Sequence, residues 1–518
     1  MNLQSIPILT LLIVIPIVGA VPIIFFPRTE TLLNRTWLLL VSLVEFVVSL
    51  GLILGFQVGA TGPQFVEQVP WVPSLGIQYH LGLDGISLAM VLLSTFLTVI
   101  AVLGSWNAMD NDRGKEYAGF ILLLEAGVIG SFVSLDLILF FAFWEAMLVP
   151  AYLLVGVCGG PRRVYAAYKF FLYTAVGSLL MLIGIIGVYV IHIQQGGAPT
   201  FDVATLARTP IPAGLQLWPF LAFTLAFAIK VPIWPLHTWL PDLYREAPLG
   251  AMVLITMLVK VGAYGFLRFA IPLFPAAATS WAPILSALAL VGIIYGGLSA
   301  FVQRDFVLVV AYSSIAHLGF IVLGIFSLTH QSVEGAVVQM VNHGISAGAL
   351  FLIAAMIYAR TGSTSFENLG GVAAKWPVLG SFALVSMLSS VGLPGLNGFV
   401  GEFLIVYGTF VSNRGYAVIA AIGIVIAATY LFTMFRQAMH GPVLPSLSGT
   451  DLSGREVVAL IPLVALIILI GVYPAPLLNS LETSVDRITA SVQTAQVVPA
   501  SQVGLVVMSR CQEAIPCQ

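Results

Sequence analysis

Charge is what this sequence has least of. Only 8% of its 518 residues are Asp, Glu, Lys or Arg, against roughly 25% in a soluble protein. That scarcity excludes water as the main solvent. A hydrophobic fraction of 59% and a mean hydropathy of +1.04 agree. A chain in hydrocarbon must satisfy its backbone polar groups internally, which leaves helices or a closed barrel. The apolar runs are about 20 residues long without period-2 alternation, so helices are predicted. With a net charge of -2 and no basic tract, a nucleic-acid surface is excluded. Cysteine is scarce too. Cys158, Cys511 and Cys517 show no metal-ligand spacing; Cys511 and Cys517 could pair in an oxidising compartment, although an unpaired structural role is the stronger reading. No nucleotide loop, cysteine cluster or flavin motif is present, so no cofactor or metal site is expected in this chain. Met1 to Pro7 carry no basic residue, and the apolar stretch to Phe26 reads as a first span rather than a signal peptide.

What is present is a series of about fourteen spans, near 6–26, 37–57, 84–106, 117–134, 136–158, 168–194, 216–240, 248–270, 281–302, 306–327, 333–359, 377–411, 415–437 and 457–478. The segment Thr61–His80, with Pro63, Pro70, Pro73 and Gly76, reads as an extramembrane loop or short hairpin. The residues from about Asn479 onward are more polar and read as a surface tail. Most of the 20 Lys and Arg residues fall in loops after odd-numbered spans. Five lie on the other side (Arg208, Arg268, Arg414, Arg487 and Arg510), and Lys230 and Lys260 fall inside spans. The positive-inside rule then makes the odd loops cytoplasmic and puts both termini on the opposite, periplasmic or lumenal, face.

A charge at bilayer depth costs at least about 2.5–3.5 kcal/mol, so each buried one is a functional hypothesis. Glu145, Lys230, Lys260 and Glu402 meet that description, and His317, His343 and His237 add imidazoles in the same segments. Apolar sequence flanks Lys230 and Lys260 by about two turns or more, which argues against snorkelling. For His343 a satisfied core histidine is as good a reading as a functional one. Glu45 and Glu125 are also within spans, where a structural pairing is an equal reading. Asp84 and Asp136 stand at span starts, where helix N-caps are expected.

Two spans are interrupted. Pro232, Pro235 and Pro241 follow Lys230, and Gly392, Pro394, Gly395 and Gly398 precede Glu402. Broken helices at matching places in two halves point to a transport site. Lys230 stands as many residues before Glu402 as Glu145 stands before His317. The pattern predicts two five-helix copies, at 117–270 and 281–440, inverted because the span number is odd. Spans one to three (1–116) precede them, and a last span with the tail (441–518) follows.

The segments FWEAMLVPAYLL, IKVPIWPLHTWLPD, AYSSIAHLGF, NHGISAGALF and LPGLNGFVGEF resemble the antiporter-like subunits of respiratory complex I and their relatives, over roughly residues 80–440. Glu402, where the sister subunits carry lysine, and Ala347 suit the M-type branch of these subunits, which has counterparts in cyanobacterial and plastid complexes. Two stretches depart from the family pattern, LPDLYREAP and QRDFVLVVAYSS. The resemblance implies an all-α polytopic membrane protein of about fourteen helices, with two inverted five-helix repeats and broken helices 7 and 12. It also implies a polar axis through Glu145, Lys230, Lys260, His317 and Glu402, with His343 and His237 as further candidates. The protein would be a proton-translocating subunit of an NAD(P)H or ferredoxin:quinone oxidoreductase in an energy-transducing membrane. NAD(P)H or ferredoxin, iron–sulfur clusters and quinone would then be held by partner subunits, which include sister antiporter-like subunits. A multisubunit cation/proton antiporter or a membrane-bound hydrogenase-type complex is the alternative setting.

Overall fold

The computed structural model describes residues 6–109 and 113–497; Cys511, Cys517 and Arg510 lie outside the described residues. Two helices, α1 (Ile8–Phe25) and α2 (Thr31–Gly55), lead into an antiparallel hairpin, β1 (Gln64–Val72) and β2 (Ile77–Leu83). The expected loop is therefore a hairpin. Next come α3 (Gly85–Gly104), α4 (Gly114–Val133), α5 (Leu137–Ala146), α6 (Leu148–Cys158), α7 (Arg163–Gln194) and the short α8 (Val203–Ala207). The middle of the chain holds α9 (Ala213–Lys230), α10 (Trp239–Glu246), α11 (Ala251–Gly265) and α12 (Ile271–Leu273). It continues with α13 (Pro275–Phe301), α14 (Phe306–Phe326) and α15 (His330–Thr361). The remainder is α16 (Val372–Lys375), α17 (Pro377–Val391), α18 (Asn397–Ser412), α19 (Arg414–Met439), α20 (Gly454–Val472) and α21 (Ala475–Val497).

Among the described residues, 13 segments are long and apolar enough to cross a membrane. The twelfth span is interrupted, as expected: it is the two shorter helices α17 and α18, separated where Gly392 takes φ +81° and closes α17. The starts are set by side-chain caps, as the sequence predicts. Asp84 accepts from the Ser87 N–H at 3.0 Å, and Asp136 accepts from Ile138 and Leu139. Thr329 with Ser332, and Ser453 with Glu456, form reciprocal capping boxes at α15 and α20.

Proline explains two interruptions the span assignment did not separate. The fifth span splits at Met147. Pro150 lacks the N–H that would reach the Ala146 carbonyl, and its ring crowds that oxygen. Pro272 stands in the same relation to Arg268, where the backbone forms a π-turn over Phe266–Ala270. Burial orders the bundle. The apolar window of α15 is 100% buried and that of α20 only 28%, so α15 is central and α20 stands at the rim. Exposed apolar residues such as Val47 on α2 and Val425 on α19 face the lipid side of such a bundle.

The tail departs from expectation. Through Val497 it is the helix α21, with Leu481, Val485, Ile488 and Val492 buried. That spacing is one helical stripe; polar residues fill the opposite face, so average polarity hid it. The stripe packs α21 against α3, α13 and α15.

The hairpin is fixed to α8 outside the spans. His80 Nδ1 lies 3.0 Å from Asp202 Oδ2, and Asp202 also accepts from Thr205 N at 2.8 Å. Burial opposes ionisation of Asp202, but the hydrogen bonds from His80 and Thr205 outweigh it and hold its carboxyl below the usual carboxylate range. A depressed folded value stabilises the fold above the ordinary aspartate value of about 3.9, and the contribution is lost as pH falls through the lower folded value. Thermal unfolding of Asp202→Asn against the parent is thus expected to show a constant deficit near neutral pH that closes only in strong acid. A deficit that grows on acidification would contradict this account.

Candidate functional site

Lys230 is the last residue of α9 and is fully buried. Pro232 and Pro235 stop the helix just beyond it, so its ammonium sits at the negative end of the helix dipole. Its Nζ has no hydrogen-bond partner among the described residues. It lies instead over two aromatic faces, 5.1 Å from the Trp144 ring and 5.5 Å from that of Phe170, contacts that favour a cation. Trp144 is oriented by donating to Ser178 Oγ at 3.0 Å, and the Trp239 indole takes up the Ile229 carbonyl at 2.9 Å beside the break.

Glu145 lies at the end of α5, two residues before the split, and is half-buried. Its carboxylate acts electrostatically on Lys230 without a hydrogen bond between them. Gly262 on α11 brings the next lysine's helix close: a Cβ there would stand 2.9 Å from Lys230 Cβ.

From Lys260 the polar groups form a line. Lys260 Nζ donates to the Thr256 carbonyl at 2.6 Å and meets His343 Nδ1 at 3.1 Å. The His343 and His317 ring centroids are 6.0 Å apart. His317 Nδ1 then reaches Glu402 Oε1 at 2.9 Å, and Gln339 Nε2 donates to the same oxygen at 3.2 Å. All of these side chains are buried. A cavity of about 10 Å³ borders both histidines, room for roughly one water.

The end groups set the hydrogen-bond roles of the two rings. A lysine that donates to His343 Nδ1 leaves the ring hydrogen of neutral His343 on Nε2. A carboxylate that accepts from His317 Nδ1 leaves His317 Nε2 as an acceptor. Hydrogen bonds therefore join Lys260 to His343 at one end and His317 to Glu402 at the other; between the rings neither Nε2 has a hydrogen-bond partner among the described residues, and the small cavity bordering both is room for one bridging water.

The structure thus brings Lys260, His343, His317 and Glu402 together and sets Lys230 with Glu145 beside them. His237 is not in that line. It is buried in the turn after Lys230, with its ring 4.9 Å from that of Tyr295. Sequence reasoning named His343 but missed its polar companions. Gln339, Asn342 and Ser346 share its stripe on α15, and the stripe continues through Asn342 to the Asn397 carbonyl at 2.6 Å and Ser346 to Ser389 at 2.6 Å. The signal was readable as four polar residues at helical spacing in an otherwise apolar helix. Gly401 lets α18 approach this stripe closely: a Cβ there would stand 3.0 Å from Gln339 Cα and would displace the Gln339 amide. A second polar cluster was also missed. Arg268 pairs with Asp84 at 2.9 Å and donates to Ser87 Oγ and Tyr264 Oη at 3.1 and 3.0 Å.

Residues 134–427 match the family described as NADH:quinone oxidoreductase/Mrp antiporter, transmembrane. NADH-quinone oxidoreductase subunit M of Rhodobacter capsulatus is 40% identical, over 88% of this chain and 90% of that protein. A subunit of respiratory complex I from Thermus thermophilus superposes with a TM-score of 0.85 at 33% identity, covering 93% of this chain and 99% of that one. A subunit of the Mrp complex from Dietzia shares the fold, with a TM-score of 0.84 at 20% identity over 96% of this chain and 99% of that one. With its matched segment holding the line from Lys260 to Glu402, this chain belongs to the NADH:quinone oxidoreductase/Mrp antiporter transmembrane family.

Proposed function

We propose that this chain is a proton-translocating membrane subunit of a complex I-type NAD(P)H:quinone oxidoreductase. The observation that carries the reading is the buried line Lys260–His343–His317–Glu402, hydrogen-bonded at its lysine and glutamate ends with the two imidazole rings side by side between them. The level of likeness favours the quinone oxidoreductase over the cation/proton antiporter setting, since the former relatives stand at 40% and 33% identity and the latter at 20%.

In this reading Lys230 holds the proton and Glu145 tunes its hold by approach and withdrawal. Lys260 receives the proton, His343 and His317 relay it, and Glu402 releases it toward the outer face. His343 enters the relay on geometry, a more central place than the sequence suggests. The two units, 117–270 and 281–440, contribute the loading half and the release half. The odd-numbered loops lie in the cytoplasm and both termini on the periplasmic or lumenal side. Electrons travel in partner subunits that hold NAD(P)H or ferredoxin, iron–sulfur clusters and quinone, and sister antiporter-like subunits flank this one in the membrane.

His343→Ala tests the relay. It removes the hydrogen-bond partner of Lys260 and the ring beside His317 while leaving both end groups. The assembled complex in sealed vesicles is expected to pump fewer protons per quinone reduced, by about one order of magnitude if at least about 1.4 kcal/mol is added to the transfer barrier. His343→Gln, which restores hydrogen bonding but cannot carry the proton, is expected to fail equally. Full stoichiometry in both variants contradicts the relay.

A further inference from the structure

A second group of titratable side chains lies off that line. Glu45 on α2 and Glu125 on α4 are 0% and 3% exposed, each near the middle of its helix. Ser42, Glu45 and Ser49 form one stripe of α2, which meets α3 where Ser49 Oγ lies 2.8 Å from Thr95 Oγ1. Where α4 packs on α2, the Glu125 and Glu45 carboxyls are near enough to interact electrostatically. Yet none of the four carboxylate oxygens has a hydrogen-bonded partner, and the buried Ser42 Oγ on the same stripe has none either. Two ionised carboxylates carry no hydrogen between them, so this contact becomes a hydrogen bond only when one of them is protonated.

No cation faces the pair among the described residues. The neighbouring α1 and α3 contain no titratable residue. Lys260 on α11 is engaged by the Thr256 carbonyl and His343. Lys115 of α4 donates to the Ile24 and Phe26 carbonyls, and Arg35 of α2 stacks on Trp106. The nearer end of α4 also has Glu116, which is paired with Arg28. On β2, His80 is paired with Asp202. Glu145 on α5 and Tyr152 and Cys158 on α6 bring no positive charge.

We propose that Glu45 and Glu125 hold a single proton between them, a proton-binding site in the bilayer core separate from the Lys260–Glu402 line. With both ionised, repulsion and desolvation act together and no counter-ion offsets them. One proton removes the repulsion and creates an O–H···O⁻ bond, stronger than a bond between neutral groups. The Thr98 hydroxyl donates to the Ser94 carbonyl at 3.0 Å, so it leaves the shared proton as the pair's own hydrogen bond. The proton moves by breaking the O–H bond on one carboxyl as one forms on the other, and the pair keeps one negative charge throughout. The site links α2 to α4 among the N-terminal helices, where the line does not reach.

Infrared spectroscopy of the assembled complex in membranes tests this, through the deuterium-sensitive carboxylic-acid carbonyl stretch. Comparison of the parent with Glu45→Gln, Glu125→Gln and the double variant assigns the signal. One protonated carboxyl is expected in the parent, one at shifted frequency in each single variant, and none in the double. No carboxylic-acid signal from the pair in the parent, or a signal of twice the single-variant intensity, overturns the shared proton. Loss of the signal when potassium buffer is replaced by sodium also overturns it, because a sodium ion would then be the occupant. Should the glutamine variants fail to assemble, Glu125→Asp keeps the acid while shortening it. A shifted parent signal is then expected, and an unshifted one excludes the pair as its source.

Discussion

Lys230→Ala and Glu145→Ala are each expected to cut proton pumping by the assembled complex at least about tenfold, the effect of losing roughly 1.4 kcal/mol from the step they drive. The argument rests on how little holds the Lys230 charge. Its ammonium has aromatic faces and the end of a helix dipole, but no hydrogen bond. The carboxylate that acts on it belongs to the helix that splits at Met147. An ammonium and a carboxylate brought to about 4 Å attract by about 4 kcal/mol at an effective dielectric of 20. Moving one charge against 100 mV needs about 2.3 kcal/mol. Approach and withdrawal of Glu145 therefore exceed the work of one translocation step. Lys230→Arg separates charge from proton exchange: it keeps the cation, but a guanidinium does not give up its proton in a protein. It is expected to pump as poorly as the alanine variant. Wild-type proton stoichiometry, measured by quenching of a pH-sensitive dye in sealed vesicles, in Lys230→Ala and Glu145→Ala together would sink the assignment.

The largest loss of stability is expected from Asp84→Asn. Asp84 and Arg268 pair at 2.9 Å with side-chain exposures of 6% and 14%. The guanidinium is further held by Ser87 and Tyr264, and Tyr264 donates onward to the Phe132 carbonyl at 2.8 Å. Removing one member of a buried pair leaves the other charge uncompensated, at about 3–5 kcal/mol. Replacing both, as Asp84→Asn with Arg268→Met, removes the stranded charge and should recover much of the loss. Thermal unfolding of the solubilised complex, with the amount of protein accumulating in membranes, measures both. A double variant less stable than Asp84→Asn alone would show that the pair is not the source of the loss.

Much of this was legible in the sequence where a single residue broke a uniform background. Lys230, Lys260 and Glu402 stood out because their flanks are apolar, and the breaks beside Lys230 and Glu402 were written in proline and glycine. Pro150 and Pro272 carried equally plain signals for the split at Met147 and the π-turn at Arg268, but each lies inside a continuous apolar run and was absorbed into it. What the sequence left open depended on which helices meet. Nothing local says that His343 on α15 falls between Lys260 on α11 and His317 on α14, so a core histidine was an equal reading. Arg268 was counted among loop residues because only the fold shows Asp84 beneath it. The polar face of α21 masked its apolar stripe for a related reason, since a window average cannot tell a mixed surface from a two-sided one.

The contrast between α15 and its neighbours has a mechanical consequence. His343 rides on a continuous helix of 32 residues that is buried along its apolar window, whereas Glu145, Lys230 and Glu402 each sit within a few residues of a broken helix. Under load, strain concentrates at joints. Glu145, Lys230 and Glu402 are therefore mounted on the compliant parts and His343 on the stiff one, an arrangement in which the contacts at the breaks can open and close while the reference point between them stays in register.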